Sequence, residues 1–319
     1  MSNSLPIEPA ELSERVDEPE RFAAGIGREL LSDKAGLFGF LVIVTLVLVA
    51  VFAPLLAPYD PGSQNLIDRL LPPFWSDGGS WAHILGTDNL GRDVFSRLIF
   101  GSRISLLVPL LVAVFAGGFG VTMGLVSAYK GGRTDSIIMR IVDTQVSFPG
   151  LLLALTILAV ISPSTGAVIL VLSINGWMVY ARFTRGLVLS VRETQYVEAA
   201  EIVGCPPRRV IVRHILPNLT APLLTLVVLE FAHIMLAEAA LSFLGMGIQP
   251  PAISWGLDVA IGRDFLFSAP WLIAIPGLAI AVSVLGMNLF ASWLRVAADP
   301  QERDKRFAAS AAAVVGTPT

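Results

Sequence analysis

A short polar segment between two long apolar stretches carries residues suited to docking another protein. Small alanines allow a second surface to approach closely, and charged neighbours fix the register of that approach. The candidate residues are Glu198, Ala199, Ala200, Gly204, Arg208, His214, Leu216 and Pro217. The alternative interpretation of the same residues is a solvated amphipathic loop.

Three ionisable residues, Glu230, His233 and Glu238, fall inside the apolar stretch that follows. Such groups are costly in lipid and usually face protein or water. Glu230 and His233 share a helix face because they stand three residues apart. They can line a hydrated path, bond neighbouring helices or relay protons, and Glu238 can equally be a structural tie. The spacing is not a tight metal-ligand pattern, so no metal site is predicted.

The composition indicates that these residues sit in a membrane protein. The 319 residues are 54% hydrophobic and 15% charged, with a mean hydropathy of +0.72. A soluble domain carries about 25% charged residues. The net charge of -3 and the lack of a basic patch predict no nucleic-acid partner. The single cysteine, Cys205, excludes an intrachain disulfide.

Apolar length predicts an all-α fold with six transmembrane helices, since a helix needs about 20 apolar residues to cross the bilayer core. The six stretches are Ala35–Pro58, Ile104–Tyr129, Ile137–Ile161, Gly166–Ala181, Ile215–Leu244 and Ala269–Leu294. Most of the 22 lysines and arginines lie in the two tails and in the segments after the second and fourth stretches. The positive-inside rule therefore places both termini and the polar segment in the cytoplasm.

The predicted organisation has four parts. Residues 1–34 form a cytoplasmic tail that ends in an interfacial helix on the membrane surface. Residues 35–103 contain the first transmembrane helix and an extracytoplasmic loop. Residues 104–306 form a five-helix core with the polar segment at 193–218, and residues 307–319 form a disordered tail.

The polar segment reads as a helix–turn–helix. Residues 193–203 have helical spacing of apolar positions, Gly204 can end that helix in a left-handed conformation, and Pro206 and Pro207 delay the next one. A second helix then starts near Arg208 and leads into the fifth stretch.

Small residues spaced by four mark one face of the second stretch: Ala116, Gly120, Gly124 and Ala128. Lipid supplies little hydrophobic force between helices, so association depends on close backbone approach. The strip predicts a tight seam with another helix, and a seam that moves during transport would need the same residues.

The polar segment resembles the EAA loop of permease subunits in binding-protein-dependent ABC importers. The matching residues are Glu198-Ala199-Ala200, Gly204 and the ending Leu216-Pro217. The general signature prefers isoleucine where this chain has His214, and His214-Ile215-Leu216-Pro217-Asn218 is instead similar to the peptide and nickel branch.

Further motifs resemble the C-type permeases of that branch, in the same order along residues 27–306. They are Leu85-Gly86-Thr87-Asp88, Gly91-Arg92-Asp93, Ser96-Arg97, Arg140-Ile141-Val142-Asp143 with Phe148-Pro149, Glu238 to Gly245, Pro250-Pro251 and Ser254-Trp255-Gly256.

The resemblance implies the type I importer permease fold in a bacterial inner membrane, with the EAA loop as a coupling helix. It implies three kinds of partner besides membrane lipid: a homologous B-type permease, two cytoplasmic ATPases, and a substrate-binding protein outside. No cofactor is implied. The chain has no G-x-x-x-x-G-K-[ST] loop, so it is not expected to be an enzyme, and ATP hydrolysis is assigned to separate subunits.

Two questions remain open at the level of sequence. The cargo is expected to be di- or oligopeptides, with nickel complexes, glutathione or another small solute as alternatives, and a proton-driven secondary transporter is a more distant class. The charged residues before the second stretch either order their own loop or dock the binding protein, together with Trp255. That group is Asp88, Arg92, Asp93 and Arg97.

Overall fold

A computed structural model describes residues 29–298, and within that range the chain is helical with connecting loops and no strand longer than an isolated bridge. The helices, numbered here in chain order, are α1 Lys34–Val51, α2 Ala53–Leu56, α3 Val94–Lys130, α4 Gly132–Val146, α5 Gly150–Ile161, α6 Thr165–Arg192, α7 Gln195–Ile202, α8 Pro207–Val210, α9 Leu216–Phe243, α10 Trp255–Gly262 and α11 Trp271–Ala298. A π-helical turn, Ile211–Ile215, joins α8 to α9.

Five of these helical segments are long and apolar enough to cross a membrane, and α4 with α5 forms a sixth candidate bent by 85°. The bend falls at Ser147, Phe148 and Pro149, where proline restricts the residue before it. The all-α fold is therefore confirmed. The third predicted stretch, over residues 137–161, is therefore two helices rather than one.

Two spanning helices extend further than apolarity predicted, whereas α1 ends at Val51, short of the predicted Pro58. Helix α3 begins at Val94, ten residues before the predicted stretch, because the Asp93 carboxylate accepts a hydrogen bond from the Ser96 amide at 2.7 Å. Helix α6 continues to Arg192, beyond the predicted end at residue 181. The predicted break at residues 162–164 is confirmed, with Ser164 as the N-cap of α6.

The strip of small residues in α3 packs against α6, as predicted. A side chain at Gly120 would overlap the Trp177 carbonyl, and one at Gly124 would come within 2.5 Å of the Ala181 carbonyl oxygen. A step of four residues along α3, from Gly120 to Gly124, matches a step of four along α6, from Trp177 to Ala181. Helices α3 and α6 therefore run parallel. Tyr180 lies fully buried beside this seam.

The first and last helices pack against each other in opposite directions. Gly36 faces Trp293, and Gly39 faces the backbone of Gly286 and Phe290. Because α1 and α11 are antiparallel neighbours, the start of α1 and the end of α11 lie on one face of the molecule, called here the terminal face. The chain must then cross the membrane an even number of times from the start of α1 to the end of α11. The five long helices give an odd number of crossings, so α4 and α5 together supply one more.

The opposite face, called here the loop face, carries α10 and the connection over residues 57–93. This connection is ordered by backbone hydrogen bonds, among them Leu70 to Asp88 and Thr87 to Leu71, both 3.0 Å. Much of the predicted interfacial helix in residues 1–34, and all of the predicted tail at 307–319, lie outside the described residues.

Candidate coupling site and transport path

Helix α7 carries the first half of the predicted docking segment and ends as the sequence predicted. Gly204 has φ +82°, the left-handed conformation that glycine adopts without strain. The Cys205 amide donates to the Ala200 carbonyl at 3.1 Å and closes the end of the helix. The observed helix, Gln195–Ile202, is slightly shorter than the predicted one.

A buried apolar cluster fixes α7 to the spanning helices. Val197 of α7 packs with Val210, Ile215 and Leu219, which lie at the junction leading into α9. Val188 of α6 and Ala128 of α3 belong to the same cluster. The cluster therefore ties α7 to the ends of α3, α6 and α9, and interiors packed this closely transmit strain.

The outward surface of α7 carries small, acidic and apolar side chains. Glu198 and Ala199 are exposed and Ala200 is partly exposed, while Ile202 and Val203 expose 78% and 83% of their surface. Sequence reasoning missed the last two as contact residues. The available signal was a pair of large apolar side chains at the end of an otherwise polar helix, next to a glycine.

An acidic cavity of about 490 Å³ lies beside α7. Its lining residues are Leu189, Arg192, Glu193, Glu198 and Glu201. Arg192 lies 3.8 Å from the Glu201 carboxylate, and both side chains are partly exposed, so this ion pair contributes little to stability. The remaining carboxylates are available to a basic partner surface.

The second half of the docking segment forms a neck rather than part of the α7 surface. Arg208 and Pro217 are exposed, whereas His214 and Leu216 are partly buried. The His214 carbonyl accepts a hydrogen bond from the Asn218 side chain at 2.7 Å, within the π-helical junction. The predicted set is thus divided between a tip at residues 198–204 and a neck at 208–217.

Two of the three ionisable residues in α9 lie together, and the third lies apart. His233 Nδ1 is 3.4 Å from Glu230 Oε1, with the imidazole largely exposed and the carboxylate largely covered. Glu238 is 1% exposed and accepts hydrogen bonds from Ser242 and Ser254 at 2.7 and 3.0 Å. These bonds support the structural-tie interpretation of Glu238.

The charged residues around the start of α3 form a largely buried network. Asp88 accepts from the Arg92 side chain at 2.6 Å, Asp93 from His83 at 2.9 Å, and Arg97 pairs with Asp258 of α10. Burial raises the pKa of the Asp258 carboxyl, and the adjacent Arg97 guanidinium opposes that shift.

The burial of this network bears on its predicted docking role. Asp88, Asp93, Arg97 and Trp255 are each less than 5% exposed. Trp255 donates from its indole to the Leu98 carbonyl at 2.8 Å and from its amide to Ser105 at 3.0 Å. Side chains this covered offer little contact surface of their own, which favours the loop-ordering alternative. Docking of a binding protein by this group stays a prediction.

Comparison with known families gives this architecture its context. The family model described as "Binding-protein-dependent transport system inner membrane component" matches residues 120–304, which include α7, the neck and α9. The chain belongs to this family. The permease also matches, over residues 22–73, a model described as "N-terminal TM domain of oligopeptide transport permease C".

Relatives extend the permease's likeness over most of its length. It is 44% identical to the dipeptide transport system permease protein DppC of Escherichia coli K12, over 84% of this chain and 90% of the relative. It is 40% identical to the di/tripeptide transport system permease protein DppC of Pseudomonas aeruginosa, over 84% and 89%. It is 36% identical to the dipeptide permease DppC of Haemophilus influenzae, over 84% and 91%.

The family membership settles the class of the protein. It is an inner-membrane permease subunit of an ABC importer, in accord with the expected resemblance. A proton-driven secondary transporter is a different class, and the family assignment argues against it. The partner subunits implied by this class are a further permease and ATPases.

Proposed function

We propose that the permease forms half of a path that imports di- or oligopeptides, with a homologous B-type permease forming the other half. The relatives named above are dipeptide or di/tripeptide permeases, which supports this cargo. Two cytoplasmic ATPases supply the energy, and an extracytoplasmic binding protein delivers the peptide. Both termini and α7 face the cytoplasm in this proposal.

The observation that carries the coupling role is the exposed tip of α7 on a buried base. Ile202 and Val203 present apolar surface to a partner, and Glu198 presents charge beside them. Val197 joins the tip to the root of α9 through the buried cluster. An ATPase that displaces the tip therefore displaces α9, which is the mechanical step that alternating access requires.

The path itself is assigned to the face of α9 that carries Glu230 and His233. This pair offers a carboxylate and an imidazole 3.4 Å apart in a mostly apolar helix. Polar groups in lipid-spanning helices usually face a hydrated cavity or another protein segment. A peptide carries an ammonium and a carboxylate, so both groups of the pair have a complementary partner.

Reconstitution of the complete importer in proteoliposomes tests the proposal. We expect uptake of a radiolabelled dipeptide that requires ATP on the side of α7 and the binding protein on the other side. A proton gradient without ATP is expected to drive no uptake. Peptide uptake that proceeds without the ATPases would contradict the proposal.

Competition in the same assay separates the cargo alternatives. Unlabelled di- and tripeptides are expected to reduce the signal, and nickel complexes and glutathione are expected to leave it unchanged. Inhibition by glutathione or a nickel complex alone would reassign the cargo while leaving the coupling role intact.

A further inference from the structure

A large apolar groove on the outside of the chain has no role in the mechanism above. It has a volume of about 660 Å³ and lies between α1, α3, α9 and α11. Its walls include Leu46, Leu106, Val228 and Met287, and the only charged side chain in it is Arg103. Side chains of Val47, Val51, Leu107 and Leu110 on its rim are 45–60% exposed, so the groove opens away from the core.

Arg103 lies at one end of the groove. Its Nε donates to the Ala50 carbonyl at 2.8 Å, its Nη2 lies 3.5 Å from the Val51 carbonyl, and the guanidinium lies 5.6 Å from the Phe100 ring centre. The Nη1 group has no hydrogen-bond partner among residues 29–298. A guanidinium carries five donors, so Arg103 is held in place and still has donors to offer.

The groove is polar at this end and apolar along its depth. From Arg103 to Leu110 on α3, and from Ala50 to Ile43 on α1, each helix descends about 10 Å at 1.5 Å per residue. Ala50 and Val51 are the last residues of α1, so Arg103 stands at the membrane surface on the loop face. The shape calls for an occupant with an anionic head and a hydrocarbon tail.

We propose that this groove binds a membrane phospholipid, with its phosphate on Arg103 and one acyl chain between α1 and α3. Guanidinium groups suit phosphate oxygens in charge and geometry, and the side chains along the depth are hydrocarbon. A transmembrane helix of a neighbouring subunit would fill the apolar part without giving Arg103 an anion. The bound lipid joins α1 to α3 and α9, independently of which cargo the importer carries.

Native mass spectrometry of the complete importer, purified in mild detergent and supplied with phosphatidylglycerol, tests the proposal. The wild-type permease is expected to retain one phospholipid at this site. Arg103→Gln removes the cation and Leu107→Trp fills the apolar part. Arg103→Gln is expected to reduce lipid retention about tenfold, since hydrogen bonds to charged groups are worth that factor or more. Leu107→Trp is expected to reduce retention because its ring occupies the space of the acyl chain.

Arg263 provides a matched control for Arg103. It also lies 5.6 Å from a phenylalanine ring centre, that of Phe243, and contacts a helix-end carbonyl at 3.4 Å, but it does not line the groove. Arg263→Gln is expected to retain lipid at the wild-type level. Size-exclusion profiles identify any variant that fails to fold, in which case Leu110→Trp replaces Leu107→Trp.

Other outcomes overturn the proposal. Unchanged retention in both Arg103→Gln and Leu107→Trp would show that no lipid occupies the groove, as would a wild-type complex without bound phospholipid. A photo-crosslinker at Leu107 that captures a helix of another subunit instead of lipid would assign the groove to subunit packing. None of these outcomes affects the test of peptide uptake.

Discussion

Two glycines end helices with nearly identical backbones on opposite faces of the molecule. Gly204 follows α7 with φ +82°, and Gly245 follows α9 with φ +81°. No atom lies within 4 Å of the position that a Cβ would occupy at either residue. A side chain at either site therefore strains the backbone by about 1–2 kcal/mol without a clash inside the permease. The two sites differ because Gly204 adjoins the proposed ATPase contact and Gly245 lies on the loop face.

This pair gives a prediction for coupling. Gly204→Asp places a charged side chain beside the exposed tip of α7, where the proposed ATPase contact lies. We expect ATP-driven peptide uptake to fall at least about tenfold, as when an interface loses about 1.4 kcal/mol, while the amount of folded permease stays near that of Gly245→Asp. Uptake in proteoliposomes and ATPase activity, measured on both variants, check the expectation. Normal uptake in Gly204→Asp would remove the coupling role of α7.

Sequence reasoning was accurate where a residue's role depends on its own backbone and inaccurate where it depends on distant neighbours. The turn at Gly204 was predictable because glycine and two following prolines act locally. The burial of Arg97 was not, because its partner Asp258 lies 161 residues further along the chain. Charged residues in a loop look alike in sequence whether they face water or each other.

At the scale of helices, the seam between α3 and α6 sets the strongest constraint. Gly120 and Gly124 both contact the α6 backbone so closely that an added Cβ would require movement. Gly118 lies on the same helix, and no atom lies within 4 Å of its Cβ position. The same substitution can therefore be made at a glycine inside the seam and at one outside it, so the two variants share the same change in residue type and helix propensity.

We expect Gly120→Leu to separate α3 from α6 and destabilise the permease by about 1–3 kcal/mol or more, the usual cost of overpacking. Gly118→Leu has room for its side chain and is expected to remain near wild type. Thermal unfolding in detergent, followed by fluorescence-detected size exclusion, measures the difference. Equal melting temperatures for the two variants would disprove the seam.

The number and order of the apolar stretches could be predicted, but their exact extents could not. Apolarity reports where a helix meets lipid, whereas helix length also depends on caps such as Asp93 and on polar turns that continue to Arg192. The 85° bend between α4 and α5 was likewise hidden, since Phe148 and Pro149 look like a minor interruption in sequence. Even so, the bent pair completes the sixth crossing.

For the whole molecule, the arrangement of helices places α7 on the terminal face. The ends of α6 and α3 lie on the same face, as shown by the 2.6 Å hydrogen bond from Arg185 of α6 to Asp135, which lies just after the end of α3. Helix α3 begins beside the end of α1, where Arg103 binds Ala50. The start of α1, the end of α11 and the coupling segment therefore share one face of the molecule, and one measurement of sidedness locates all of them.

Cys205, the single cysteine of the chain, makes that measurement available without a substitution. It is partly exposed and lies next to Gly204. We expect a membrane-impermeant maleimide to leave Cys205 unlabelled in intact cells and to label it in inside-out vesicles. Asp77→Cys in a Cys205→Ser background reports the loop face and is expected to be labelled in intact cells. Labelling of Cys205 in intact cells would reverse the proposed orientation.

The pairing of α1 with α11 has a consequence for biosynthesis. These helices leave the ribosome first and last, so α1 waits on the order of tens of seconds for its neighbour at ordinary elongation rates. During that delay Gly36 and Gly39 lack the α11 residues that pack against them in the folded chain. Helix α1 carries no charged side chain after Lys34, so it is apolar enough to rest alone in the bilayer until translation ends. A nascent chain stalled before Trp271 would leave the Gly36 and Gly39 face of this helix without its partner and exposed to quality-control proteases.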